Sequence, residues 1–587
     1  ERHSSRYHSP RKSNRMKWDK SHLQCHLSVD DQQIPLGSNS QHKSAHIKTV
    51  HTHHEYGERL LVTLYPQEEV IIEDVHLKIS YKVSKTCAMT FNGYQSWTDT
   101  QPLYPHDRMP HLSSLAQPLV SKYQFDKYGD TLIYPFKHGR GQFHGFTYVS
   151  LKEHDQSILL ASLDEASGFT MFEYDHRRGL WTIRKDNHGL QCSQPTVLLD
   201  VILLKGDESA LFDTYAQFMN VSLKTTQIHT GWTSWYYHYQ DINESIILSN
   251  CEALAQSKAQ LDIVQIDDGY QTAIGDWLSV DHEKFPQGMA YLASKIHEKG
   301  FKAGIWLAPC VCQVDSALAK LHPEWCLKDE YGEFRLGGGN WGGFYILDMQ
   351  NEEVKHYLTY VFHIVLDVWK YDMVKLDFLY AACLYPTTTK TRGQLMHETM
   401  MFIRSCVKDK LILGCGVPLG SAFGIVDFCR IGCDVGLDWD DKWYMKMFHR
   451  ERISTYHAIN NALGRYPLHG RFFLNDPDVF ILREESNQLT AVQKHTLAYT
   501  NKLTHGLLFT SDDVSKYSVT LKENFKSLMH HDDLKIHKIV CLKKGVYQIS
   551  FSKQDKLTTQ WVNTSSKSYH NKLIRLAPFE TIIKEEL

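Results

Sequence analysis

The 587-residue sequence has no CxxC pair among its 13 cysteines, no apolar run long enough to span a bilayer, and almost no net charge. Each absence excludes something. An odd number of scattered cysteines does not make a disulfide framework, so reduced, buried thiols and a cytoplasmic chain are expected. Without about 20 consecutive apolar residues, no membrane helix is expected. No charged-then-apolar leader opens the sequence either. A formal net charge of -3 and a pI near 7.0 leave no field that draws in nucleic acid or an anionic membrane. A neutral, polar ligand suits this balance.

Aromatic residues, by contrast, are abundant, with 13 Trp and 31 Tyr. Flat rings stack on the apolar faces of sugars, although most such residues serve the core. The length allows two to four domains, and the chain changes character twice. Residues 1–20 are basic and Ser-rich and read as a disordered tail or an expression remnant. Over 21–223, short alternating runs such as Arg59–Tyr65, Val75–Tyr81 and Val197–Leu204 predict an antiparallel β-sandwich. Residues 521–587 repeat that style at Ile539–Leu542, Gly545–Phe551 and Thr558–Asn563, which predicts a small C-terminal antiparallel β-domain.

Between them, 224–520 alternates β-rich runs with helical patterns, the signature of βα units on a parallel sheet. The runs are Gly231–Trp235, Ile263–Asp267, Ala303–Leu307, Met373–Asp377, Leu411–Gly414, Phe428–Gly432, Arg471–Asn475 and Gly506–Thr510. Helices are expected over Glu352–Trp369 and Gly393–Lys408, whereas Val417–Val426 offers only a turn-rich link. Eight units predict a (β/α)8 TIM barrel. The fold class is thus multidomain, α/β and all-β.

Barrel sites lie at the C-terminal ends of the strands. There the sequence places Asp267 and Asp268, Trp306, Asp377, Asp434, Asp476 and Asp478, and Asp512 and Asp513. Asp476, Asp478, Asp512 and Asp513 read as helix caps or turn starters. Residues two apart on a strand share a face, so Lys375 points with Asp377, and Arg430 with Asp434. An inward Lys375 paired with Asp377 would keep that carboxylate ionised. Two carboxylates from different strands, with cations and tryptophans beside them, match the needs of glycoside hydrolysis. A structural ion pair inside the barrel is the competing reading.

Seven motifs stand in order: Gly231-Trp-Thr-Ser-Trp-Tyr, Gln265-Ile-Asp-Asp-Gly-Tyr, Gly304-Ile-Trp-Leu-Ala-Pro, Lys375-Leu-Asp-Phe-Leu, Leu413-Gly-Cys-Gly-Val-Pro, Arg430-Ile-Gly-Cys-Asp and Leu474-Asn-Asp-Pro-Asp. With this set the chain resembles glycoside hydrolase family 36 of the clan D barrels, mainly α-galactosidases. The resemblance covers nearly the whole chain. It implies that Asp377 is the nucleophile of a retaining double displacement and Asp434 the general acid/base. Asp267, Asp268, Lys375 and Arg430 would bind the sugar hydroxyls, with Trp306 and Trp235 as walls. Cys415 and Gly416 would sit by the 2-substituent, and Trp97, from Asn92-Gly-Tyr-Gln-Ser-Trp97, would close the site.

Two departures stand out. Gly339-Asn340-Trp341 replaces the family's Arg-Asn-Trp behind further glycines, which predicts a longer loop. The acid/base motif continues Asp434-Val435-Gly436 where a Thr directly after the Asp is expected.

The nearest rival is an α-N-acetylgalactosaminidase on the same scaffold, against which the small Cys415-Gly416 speaks. A metal-dependent barrel hydrolase and a sugar-binding protein without catalysis are more distant. His51-Thr-His53-His54 has ligand-like spacing, but it lies in the β-sandwich and reads as a surface or turn cluster. No metal and no other cofactor are expected. The expected partner is a carbohydrate, with a homo-oligomer suggested by the resemblance.

Overall fold

The first β-rich region builds two facing antiparallel sheets, one around Leu23–Val29, Val70–Ser80, Thr170–Asp175 and Leu180–Lys185, the other around Ala45–His54, Gly57–Pro66, Gln156–Ser162 and Thr196–Gly206. The computed structural model describes residues 16–585 apart from His154 and His449. Period-two alternation sends Leu60, Val62 and Leu64 from one sheet and Leu77, Ile79 and Ile183 from the other into a shared core. Of the predicted tail, residues 1–15 lie outside the described residues. Met16 and Trp18 are buried, and Trp18 Nε1 donates to Glu58 O at 3.2 Å.

The central region forms eight parallel strands in chain order. They are β1 (His229–Thr233), β2 (Ile263–Ile266), β3 (Lys302–Leu307), β4 (Met373–Leu376), β5 (Leu411–Gly414), β6 (Phe428–Arg430), β7 (Leu474–Asp476, resumed at Val479–Phe480) and β8 (Leu507–Thr510). Each pairs with the next, and β8 pairs with β1. The first part of β7 bonds to β6 and the second to β8, so the sheet curls round until its two edges meet at Pro477-Asp478. Apart from Lys302 and Leu411 at strand starts, these strands are buried on both faces, which explains why runs such as Ile263–Ile266 and Ala303–Leu307 are rich in apolar residues without alternation.

Helices cover the outside. Arg392–Val407 opens on a capping box, Thr391 bonding the Gln394 N–H and Gln394 returning to Thr391. Glu352–His363 continues through a π-turn, Ile364–Val368, so the predicted length is right although the winding changes. The link from β5 to β6 carries just a 3-10 turn, Leu419–Ser421. After the helix Val519–Met529, a four-stranded antiparallel sheet follows, Leu534–Lys543, Val546–Lys553, Lys556–Asn563 and Thr581–Glu585.

Candidate active site

At the C-terminal ends of the strands lies a cavity of about 270 Å³. Asp377 and Asp434, expected from the ends of β4 and β6, both line it. So do Asp267 and Asp268 beyond β2, Trp306 on β3, Lys375 on β4, and Trp97 and Trp235. Cys415, Gly416 and Arg430 do not reach the wall; they stand behind it.

The floor is set by ion pairing. Lys375 Nζ lies 2.8 Å from Asp267 Oδ2, and Gln265 Nε2 donates to the same oxygen at 2.9 Å. This corrects the expected Lys375–Asp377 pair: side-chain alternation fixes only the face, and the lysine reaches instead to the carboxylate of β2. Burial pushes the Lys375 ammonium down, but Asp267, with Asp377 nearby, outweighs it and holds it above its ordinary value. A buried charge of either sign would be costly unpaired.

Asp377 takes other donors. Trp306 Nε1 donates to Oδ2 and the Phe378 N–H to Oδ1, each at 3.0 Å. Burial pushes the Asp377 carboxyl up, Lys375 opposes that, and the Asp434 charge adds to it. Asp377 therefore feels the charge of Asp434.

Asp434 accepts from Arg430 Nη1 at 2.7 Å and is about a third exposed. Arg430 is not a free donor aimed into the cavity. Its guanidinium also bonds Asp476 at 3.1 Å and Asp478 at 2.9 Å. Asp476 and Asp478, expected as caps, are thus buried ligands of Arg430. Asp478 sits at φ 76, takes the Val435 N–H at 2.9 Å and bonds the Tyr236 hydroxyl. Burial outweighs Arg430 and pushes its carboxyl up to about 7. Asp512 likewise binds the buried Arg483 and two backbone N–H groups rather than capping a helix. Asp513 does cap, at Ser515.

Asp268 accepts from Gln271 at 2.5 Å, Gln240 at 2.7 Å and Trp341 Nε1 at 3.0 Å; burial nonetheless pushes its carboxyl up. Trp341 comes from the glycine-rich loop. That loop folds inward rather than standing out: a Cβ on Gly339 would meet Tyr123 O at 2.5 Å. The Trp341 signal was present in Gly339-Asn340-Trp341, but its direction was not.

Trp97 is carried in by the sandwich. Its loop is tied down by Arg465, fully buried, which donates to Asn92 Oδ1 and to the carbonyls of Ser96, Ile431, Gly93 and Gln95. Trp97 Nε1 points at Cys415 Sγ at 3.3 Å, and its ring packs edge-on to Phe378. Gly416, at φ 60, has no room for a side chain, since a Cβ would meet the Trp97 ring at 2.9 Å and Phe378 N at 3.0 Å.

Of the outer wall, Asn340 belongs to the glycine-rich loop already noted, whereas Phe125, Tyr128, Tyr239, Glu451 and Ile453 were not anticipated. These residues sit in irregular segments without periodicity. Ser454 N–H bonds Asp434 O at 3.0 Å, which holds the Glu451–Ile453 turn beside that acid.

Residues 221–408 match the melibiase family model. "Alpha-galactosidase 1" of Pediococcus pentosaceus is 26% identical over 29% of this chain and 23% of its own length. "A type blood alpha-D-galactosamine galactosaminidase" of Flavonifractor plautii is 31% identical over 26% of this chain and 14% of its own. The chain thus aligns with less than a quarter of either curated relative. The solved α-galactosidase of Thermus thermophilus, in complex with p-nitrophenyl α-D-galactopyranoside, is 25% identical with a TM-score of 0.68, over 90% of this chain and 97% of that one. These likenesses agree with the motif order in showing that the chain is similar to α-galactosidases.

Proposed function

We propose that this relative of the family 36 proteins is a retaining exo-α-galactosidase on a (β/α)8 barrel (224–520), between an N-terminal β-sandwich (21–223) and a C-terminal β-domain (521–587). The observation that carries the reading is that Asp377 and Asp434 line one cavity, with Asp434 near enough for its charge to act on Asp377. In this reading Asp377 attacks the anomeric carbon of a terminal α-galactoside and forms a β-galactosyl ester. Asp434 gives its proton to the departing oxygen, then takes one from the water that hydrolyses the ester.

The other residues position the sugar. Trp306 and the Phe378 N–H hold Asp377 in a fixed orientation. Arg430 orients Asp434, its charge shared with two further aspartates. Asp267, Asp268 and Lys375 would take the hydroxyls that distinguish galactose, with Trp97, Trp235 and Trp306 against the ring. The leaving group then lies beside Asp434, between Phe125, Tyr128 and Glu451.

The α-N-acetylgalactosaminidase alternative gains little from the Flavonifractor relative, whose name specifies α-D-galactosamine, a 2-amino rather than a 2-acetamido sugar. Against it, the place for a 2-acetamido group beside Cys415 is filled by the Trp97 indole. A cytoplasmic location accords with 13 cysteines that are all free.

The test is activity on 4-nitrophenyl α-galactoside against its 2-acetamido analogue. At least a tenfold preference for the first is expected; equal or reversed rates overturn the substrate choice. Proton NMR should show α-galactose as the first product, and β-galactose would refute retention.

A further inference from the structure

The histidine pair set aside as a surface or turn cluster lies on a strand, and its register brings in a third group. In the hairpin of Ala45–His54 and Gly57–Pro66, His53 faces Glu58 and His51 faces Leu60. Directly opposed residues share a face, as do residues two apart, so His51, His53 and Glu58 share one. Further along the hairpin the same face carries Ala45, Ile47, Leu60, Val62 and Leu64, all buried. The polar trio thus stands where the core-facing side of the hairpin runs on past the apolar core. Core packing does not ask for two imidazoles and a carboxylate there.

The geometry is compact. One ligand atom from each residue lies within 4.8 Å of the other two. His51 Nε2 already contacts a Glu58 oxygen, and both side chains are more than four-fifths buried. Trp18 fixes the Glu58 backbone. Beside the trio is an open cavity of about 190 Å³, bordered by His53, Glu58, Leu203 and Lys205, with room for water ligands. The Lys205 ammonium is turned to Met16 O at 2.7 Å.

We propose that His51, His53 and Glu58 bind one zinc ion, with water completing its coordination. Two imidazoles and a carboxylate suit a borderline cation such as Zn²⁺ better than Mg²⁺ or Ca²⁺, which take all-oxygen shells. Binding replaces the His51–Glu58 contact. The Nε2 proton of His51 moves to Nδ1 or, if the ring is doubly protonated, leaves to solvent, and the Glu58 oxygen and both imidazoles then donate lone pairs to the ion. The ion ties the two strands together at the end of their hairpin, independently of the cavity on the curled sheet.

The experiment is calorimetric titration of chelator-stripped full-length protein with zinc chloride, and with magnesium chloride for comparison. One zinc site that fills ahead of any background uptake is expected, with no matching magnesium site. His53→Ala, at an exposed position that does not threaten the fold, and Glu58→Gln should each weaken it at least tenfold. His188→Ala, at an exposed histidine elsewhere, should leave it unchanged. Zinc should raise the melting temperature of the parent and not of His53→Ala. Superimposable titrations of parent and His53→Ala, a parent with no such site, or equal uptake of magnesium would overturn the proposal.

Discussion

The ammonium of Lys375 lies 2.8 Å from Asp267 Oδ2 and makes no hydrogen bond to Asp377, two residues further along its own strand. The lysine therefore anchors the cavity-lining Asp267 and acts on Asp377 only through space. Lys375→Met leaves Asp267 buried without its cation, a loss of about 3–5 kcal/mol. Thermal denaturation should show a lower melting temperature, and the double variant Lys375→Met/Asp267→Asn should recover part of it. Full additivity of the two changes would refute the coupling.

Asp377→Asn should abolish turnover, by about 10³-fold or more, while an unreacted galactoside still binds. Equilibrium binding beside initial rates checks this. Unchanged rates would remove Asp377 from the chemistry.

Asp434→Ala should lower kcat/KM for a galactoside with a poor leaving group by about 10²–10⁴-fold. An activated 4-nitrophenyl galactoside should be hit less, because its leaving oxygen needs little help. Azide should restore turnover and yield the α-galactosyl azide, identifiable by NMR. A β-azide, or no rescue, contradicts the double displacement.

Burial raises the Asp377 carboxyl above its ordinary value near 3.8, and Lys375 and Trp306 pull it back. A protonated Asp377 cannot attack, so the acid limb of kcat/KM should lie above the usual carboxylate range. Removing either opposing group should move the limb to higher pH. Profiles of Trp306→Phe and Lys375→Met test the sign, and a downward move would refute it.

Asp478 gives a prediction on stability. Its folded value near 7 lies above that of an unfolded aspartate, so between roughly pH 4 and 7 the folded state binds the extra proton. This contribution is fully present below the unfolded value and fades as pH rises through 7. The melting temperature of the parent relative to Asp478→Asn should therefore fall from pH 4 to pH 7. A difference independent of pH would refute it.

Much of this fold was legible because strand, turn and helix signals agree locally. All eight strand positions came from apolar runs with chemically distinctive ends. The seventh run lies about three residues early: Arg471 and Phe472 close a turn on Leu468 O, and of the aromatics read as strand Phe472 packs against Tyr215 and Phe473 against Phe423. Pairings across the cavity were hidden, since spacing along one strand reveals its own face and not what reaches over from another. That is why Lys375 was matched to Asp377, and why Asp476 and Asp478 read as caps rather than as partners of Arg430. The outer wall was invisible for a different cause. Phe125 opens a single 3-10 turn and Tyr128 and Glu451 lie in irregular chain, where nothing local announces a site.

Arg465 gives the assembly a modular limit. It rises from the segment before β7, yet its five bonds mostly hold the Asn92–Trp97 loop of the N-terminal β-rich region. A graft that takes the curled parallel sheet alone would orphan a guanidinium in the interior and lose its roof at one stroke. Chimeras between relatives should therefore exchange loop and arginine together, as one inherited cassette.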